Sequence, residues 1–191
     1  MNFPKQMFKG LFIFLLAVAL VGCGVKGMEN YNAGVQYQQA GQVDLAEQQY
    51  KIAIQQNPEL GEAYLNLGLI YINKQWFDGA LQNTQKAIEI FNRTKNTYIE
   101  GSSLNQTLAI AYNNLGIIEM NLIEQAGANI SMDDLNAKWD SAISHFQSAI
   151  NLDPQCAEAN SNLSKFTNAR AEYVQMLKYQ KLSEAYLESL F

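Results

Sequence analysis

Few of the usual chemical groups are present in this chain of 191 residues. Two cysteines and one histidine rule out a disulfide framework, a cysteine-rich metal site and any histidine cluster by count alone. Proline is as scarce, with Pro4, Pro58 and Pro154 the only three, so long stretches contain nothing that stops a helix. There is no glycine-rich phosphate loop, no CxxC pair and no HExxH run. Positive charge is short as well: 13 lysines and arginines face 18 acids, for a net charge of −5. That balance argues against nucleic acid or anionic lipid as partner, since both require a basic face. The longest apolar run, Leu11 to Val21, has 11 residues. Crossing a bilayer takes about 20. The lone His145 reads as a solvated or helix-packing imidazole beside Phe146, Asp133-Asp134 as a helix start, and Cys156 as a small, half-buried thiol. The expectation is a non-enzyme with no cofactor and no metal.

What is present begins at the amino end. Lys5 and Lys9 precede the apolar run, and Leu20-Val21-Gly22-Cys23 follows it. Charge, an apolar stretch, small residues and a cysteine, in that order, resemble the lipobox of bacterial lipoproteins. The resemblance implies a signal peptide over residues 1–22, cleavage between Gly22 and Cys23, acylation of Cys23 with two or three chains, and a short tether over 23–28. Cleavage would remove two lysines and no acid, so attachment rests on the acyl chains, not on charge. Acylation of Cys23 leaves Cys156 without a disulfide partner. Gly24, where some lipoproteins carry aspartate, implies the outer membrane, facing the periplasm of a bacterial cell envelope.

Beyond Cys23 the chain has an internal period. Gly34 and Gly68, Tyr37 and Tyr71, Ala46 and Ala80, and Ala53 and Ala87 are each 34 residues apart, the length of a helix–turn–helix unit. Glycine and alanine allow two helices to approach closely, Tyr37, Tyr50, Tyr64 and Tyr71 fill the space between units, and Asn57-Pro58 ends the second helix. These residues resemble the tetratricopeptide repeat. The resemblance implies an all-α fold, a short solenoid of helical hairpins, with three repeats over 29–154 at about 27–60, 61–94 and 109–156. The segment 155–191, without glycine or proline, reads as a long helix capping the stack.

The third repeat is out of step. Ala111 to Gly116 (AYNNLG) nearly repeats Ala63 to Gly68 (AYLNLG), but after 48 residues, 14 too many. Gly116 to Ala142 is 26 residues where Gly34 to Ala46 is 12, again 14 too many. The two insertions fall around 92–108 and 120–137. Leu104, Leu108, Ala111, Leu115, Ile118 and Leu122 recur at alternating steps of four and three, and Leu135, Trp139, Ala142, Phe146 and Ala149 continue the stripe on the returning arm. Seven residues make about two helical turns, so both insertions are expected to lengthen helices. Ser131 with Asp134 marks an N-cap.

The repeat resemblance also implies a concave face lined by first helices, where peptides or helices of protein partners bind. Aligning units on their glycines puts Asn32, Asn66, Asn114 and Asn162 at one position, with Tyr31, Leu65, Leu69, Asn73, Ile117 and Asn121 near them. Asparagine amides donate and accept, so a row of them suits a bound peptide backbone. Lys165 is the lone base there, which disfavours a clamp for an acidic chain terminus. The leading expectation is a lipid-anchored adaptor for a periplasmic or outer-membrane protein. By analogy with similar repeat lipoproteins, the setting would be pilus or secretin assembly, or a peptidoglycan enzyme. A self-assembling lipoprotein that forms homo-oligomers through its C-terminal helix, and an envelope hydrolase dependent on His145, are the alternatives. The lipobox generates the first prediction. A fatty-acid analogue fed to cells should label the wild-type protein and leave Cys23→Ala unlabelled; equal labelling would remove the lipid anchor.

Overall fold

The computed structural model describes residues 24–127 and 130–188. The signal segment, Gly22 and Cys23 lie outside the described residues, as do Leu190 and Phe191. Among the described residues seven α-helices follow one another: α1 Met28–Gln39, α2 Val43–Gln56, α3 Gly61–Asn73, α4 Phe77–Thr94, α5 Leu104–Ala126, α6 Met132–Leu152 and α7 Ala157–Glu188. They pair in sequence as hairpins, α1 with α2, α3 with α4 and α5 with α6, and each hairpin packs on the next. α7 closes the series against α6 and α5. This is an all-α solenoid.

Each hairpin closes where an apolar ring or small side chain lies on bare glycine backbone. A Cβ placed on Gly34 would stand 2.5 Å from Tyr50 Cε1, and one on Gly116 the same distance from Phe146 Cε1. Tyr50 and Phe146 are fully buried, as are the flanking alanines Ala46, Ala53, Ala142 and Ala149. The period of 34 is therefore a packing rule: glycine on the first helix, then alanine, a ring and alanine on the second. The second hairpin keeps Gly68, Ala80 and Ala87 but sets Thr84 in the place of the ring, with its Oγ1 2.6 Å from where a Gly68 Cβ would be.

The core has two main parts. Tyr31, Tyr50, Leu60, Ile70, Tyr71 and Phe91 of the first two hairpins join Leu108, Leu115 and Ile118 of α5 in the larger one. Leu135, Trp139 and Phe146 of α6 join Phe166 of α7 in the other, with Ile117, Met120 and Ile123 of α5 packed against it. α5 is therefore a wall shared by both. Cys156 is more enclosed than a half-buried thiol, sitting with Ala109, Ala149 and Ala159 in a small third cluster.

The two insertions take different forms. At the second, α5 continues past Asn121, the counterpart of the Asn73 at which α3 ends, as far as Ala126, and α6 starts at Met132. Ser131 caps α6, accepting from the Asp134 N–H at 3.1 Å. The first insertion is not two clean helical extensions. α4 gains a turn and α5 starts early, but Lys95 to Ser103 between them is non-helical. Lys95 takes the left-handed conformation that ends α4. The loop then crosses to α3, where the buried Glu62 Oε1 accepts from Thr97 Oγ1 at 3.0 Å and from the Tyr98 N–H at 2.5 Å. A buried carboxylate needs donors, and helix cannot supply them there, because its N–H groups are already used. Ser103 restarts the chain with a full capping box: its N–H donates to Gln106 Oε1 at 2.8 Å, and the Gln106 N–H donates to Ser103 Oγ at 3.2 Å.

The ring-on-glycine contact can be tested at Gly116. Alanine in a helix interior gains up to about 1 kcal/mol over glycine, whereas forcing a methyl into a packed core costs roughly 1–3 kcal/mol. Gly116→Ala should therefore melt lower than wild type, by a few degrees in a calorimetric scan. A higher melting temperature would mean that the Phe146 ring yields freely.

Candidate functional site

The asparagine row does not form an open floor. Asn32 is exposed, but Asn66 donates from Nδ2 to Tyr50 Oη at 3.1 Å, and the Tyr50 O–H donates to Gln38 Oε1 at 2.7 Å. This relay joins the second hairpin to both helices of the first. Burial pushes the Tyr50 phenol well above its ordinary pKa, and burial together with the Glu62 charge raises Tyr31 as well. Both phenols therefore stay protonated donors.

The same relay recurs with its parts changed. In the next unit Thr84 stands where Tyr50 stood and Asn114 where Asn66 stood; Thr84 Oγ1 and Asn114 Nδ2 are both buried without a partner among the described residues. In the last, Phe146 offers no hydroxyl, and Asn162 donates to Asn113 Oδ1 at 3.0 Å instead. Asn66, Asn114 and Asn162 thus face the junctions between units. An amide at this position suits a peptide backbone, but at Asn66 the Tyr50 phenol one helix back takes it first.

The remaining candidates divide by burial. Tyr31 and Leu65, 7% and 3% exposed, are core residues with no surface to offer a ligand. Leu69 and Ile117 are half-buried and Asn73 is exposed. Asn121, half-buried, turns its amide back onto the Ile117 carbonyl at 2.7 Å. Between α5 and α7 lies a groove of about 370 Å³, lined by Asn113, Ile117, Glu158, Ser161, Asn162 and Lys165. Ile110, one turn before Asn113, is 44% exposed. Three of these, Asn113, Glu158 and Ser161, were not singled out from sequence. The signal was available, since Ile110, Asn113, Ile117 and Asn121 follow the three-and-four step of one helix face, but Asn113 sits beside the more conspicuous Asn114.

The lone histidine has company that falls short of a relay. Ser141 Oγ donates to Glu119 Oε1 at 3.2 Å and lies 3.4 Å from His145 Nε2. Proton transfer in a hydrolytic triad puts the imidazole between hydroxyl and carboxylate; here the hydroxyl is in the middle. His145 stacks on Tyr112 with ring centres 6.2 Å apart, and burial lowers its pKa below the ordinary value, against the opposing pull of Glu119. It is a packed neutral ring. Among the described residues no group of acids, cysteine and histidine is arranged to hold a metal, and no helix is long and apolar enough to cross a membrane.

The relay generates a paired prediction. Asn66→Ala removes a hydrogen bond worth about 1 kcal/mol net and should lower the urea midpoint. Thr84→Val removes a buried hydroxyl that has no partner and should hold or raise it. Equal losses in the two variants would show that Thr84 is bonded as Asn66 is.

Residues 61–93 match the family model "Tetratricopeptide repeat", which is the second hairpin, α3 with α4. No curated protein matches the chain. Among solved structures, the first TPR of Spaghetti (RPAP3), bound to the HSP90 peptide SRMEEVD, is 20% identical with a TM-score of 0.57 over 76% of this chain and 94% of that one. The TPR domain of Arabidopsis OM64 is 18% identical with a TM-score of 0.56 over 73% and 93%. The second TPR domain of human RPAP3, in complex with the HSP70 peptide SGPTIEEVD, is 17% identical with a TM-score of 0.54 over 74% and 94%. In sequence over residues 61–93 and in fold over about three quarters of its length, the chain is similar to tetratricopeptide-repeat solenoids.

Proposed function

We propose that this chain is a lipid-anchored adaptor of a bacterial cell envelope, holding a segment of a periplasmic or outer-membrane protein in the groove between α5 and α7. The observation that carries the reading is the groove in which half-buried Ile117 of α5 faces Ser161 and Lys165 of α7, with the exposed Ile110 further along the same helix. Its apolar surface at Ile117 beside the polar Ser161 and Lys165 suits a peptide segment or helix held by shape and a few hydrogen bonds. Two structural neighbours carry bound peptides that end in the acidic run EEVD. The groove here has one base, Lys165, with the acidic Glu158 beside it, in a chain of net charge −5. Its segment is therefore of neutral or weakly charged chemistry, not an acidic tail. Anchoring by Cys23 would confine the groove to one membrane face, raising the effective concentration of any partner in that membrane without a new contact.

The test is position-specific crosslinking in living cells. A photo-reactive residue placed at Ile117 should yield adducts with one or a few envelope proteins. The same residue at Leu45, 42% exposed on a second helix, should yield none of these. Adducts of equal pattern from both positions, or none from Ile117, would overturn the groove.

A further inference from the structure

We propose that the edge of the solenoid formed by the loops between hairpins, with Tyr98 at its surface, lies against the headgroups of a zwitterionic lipid bilayer. The inference rests on the acylation of Cys23 proposed above, and it adds the face that the anchor turns to the membrane.

Four residues place the anchor relative to the fold. The Met28 N–H donates to the Val25 carbonyl at 3.1 Å, which folds the chain into a turn just ahead of α1. Gly27 takes a φ of +81°, and a Cβ there would stand 2.6 Å from the Ala53 carbonyl oxygen in the last turn of α2. Gly27 is thus fixed against the end of α2. Cys23 is four residues further back in the sequence, a reach of about 14 Å at full extension. The headgroup layer is itself roughly 5–8 Å thick on each side of the hydrocarbon. Even at full reach, the end of α2 then clears the headgroups by less than ~10 Å.

Other loops share that end. Arg93, in the last turn of α4, pairs with Glu59 in the loop before α3. The Tyr98 N–H donates to Glu62 in the first turn of α3, and Asn96 and Tyr98 line a small cleft with Asn57 and Glu59. The loop from Lys95 to Ser103 is therefore held on the same edge as Gly27, and its Tyr98 is 45% exposed. Tyrosine has an apolar body and a polar tip, the combination that settles at headgroup level. The exposed Leu45, Trp76 and Met132 sit instead at the starts of α2, α4 and α6, beside the hairpin turns. That edge is a helix length away, about 18 Å for the 12 residues of α1.

Charge selects the lipid. Lys26, Arg93 and Lys95 on the membrane-side edge are matched by Glu29, Glu59 and Glu100. Anionic lipid is drawn by clusters of lysine and arginine, and this edge has both signs in balance. It fits a headgroup layer that also carries both.

The test uses the full chain expressed in a bacterium, purified in detergent and mixed into vesicles of phosphatidylcholine and phosphatidylethanolamine with a nitroxide on the headgroup. A fluorophore is attached through an azide-bearing residue in place of Tyr98, in place of the exposed Asn96, or in place of Leu45 at the far edge. The labels at Tyr98 and Asn96 should lose about half or more of their emission, while the label at Leu45 keeps it. Where replacing Tyr98 lowers the melting temperature, the Asn96 label decides, since it leaves Tyr98 in place. Equal quenching at both edges, or stronger quenching at Leu45, overturns the proposal and leaves the anchor standing. Wild type that does not float with the vesicles, or Cys23→Ala that floats equally well, removes the anchor and the orientation together.

Discussion

A ring lying flat against bare backbone holds this solenoid together, and most other features follow from that contact. Tyr50 on Gly34 and Phe146 on Gly116 bring the two helices of a hairpin closer than any side chain on the glycine would allow. Such proximity leaves space for nothing larger than alanine on either side of the ring, which is why Ala46, Ala53, Ala142 and Ala149 have no exposed surface. Dispersion is weak per atom and large per buried ring, so the first and third hairpins gain stability at the same place in their plan, where the second has Thr84. The intervals between those places set the period.

A phenol so placed also has a hydroxyl to satisfy, and this couples one hairpin to the next. Tyr50 passes its O–H to Gln38 and accepts from Asn66, so a single side chain ties together α1, α2 and α3. Where the ring is phenylalanine the amide must look elsewhere, and Asn162 finds Asn113. Where threonine replaces the ring, neither side finds anything. The junctions along the stack are therefore chemically unequal, although their backbones follow one plan.

The periodic part of this design was readable in the sequence because it depends on single positions: Gly34, Gly68 and Gly116, the alanines, and the Leu104-to-Leu122 stripe that places α5. Among the asparagines, Asn66 and Asn114 face the junctions between units, whereas Asn32 is exposed and Asn162 lines the groove. Their position is visible from the period, but whether an amide at that position meets a peptide or a phenol depends on the side chain one helix back. The first insertion was half legible. The stripe at Leu104 is local and shows the early start of α5, whereas the course of Lys95 to Ser103 is set by Glu62 on another hairpin, a contact that no local pattern announces. Ser103 with Gln106 is a local capping pattern that the sequence carries in full.

The placement of α5 has a mechanical consequence. One face of this helix belongs to the core of the first two hairpins and the other to the core of α6 and α7. A pull applied between the amino end and α7 must pass through α5, so the two cores bear the load in series and not side by side. Among the described residues the core that holds α6 and α7 has fewer buried side chains, so it is expected to yield first while the larger one stays shut. The chain then behaves as a spring with a soft distal segment and a stiff proximal one.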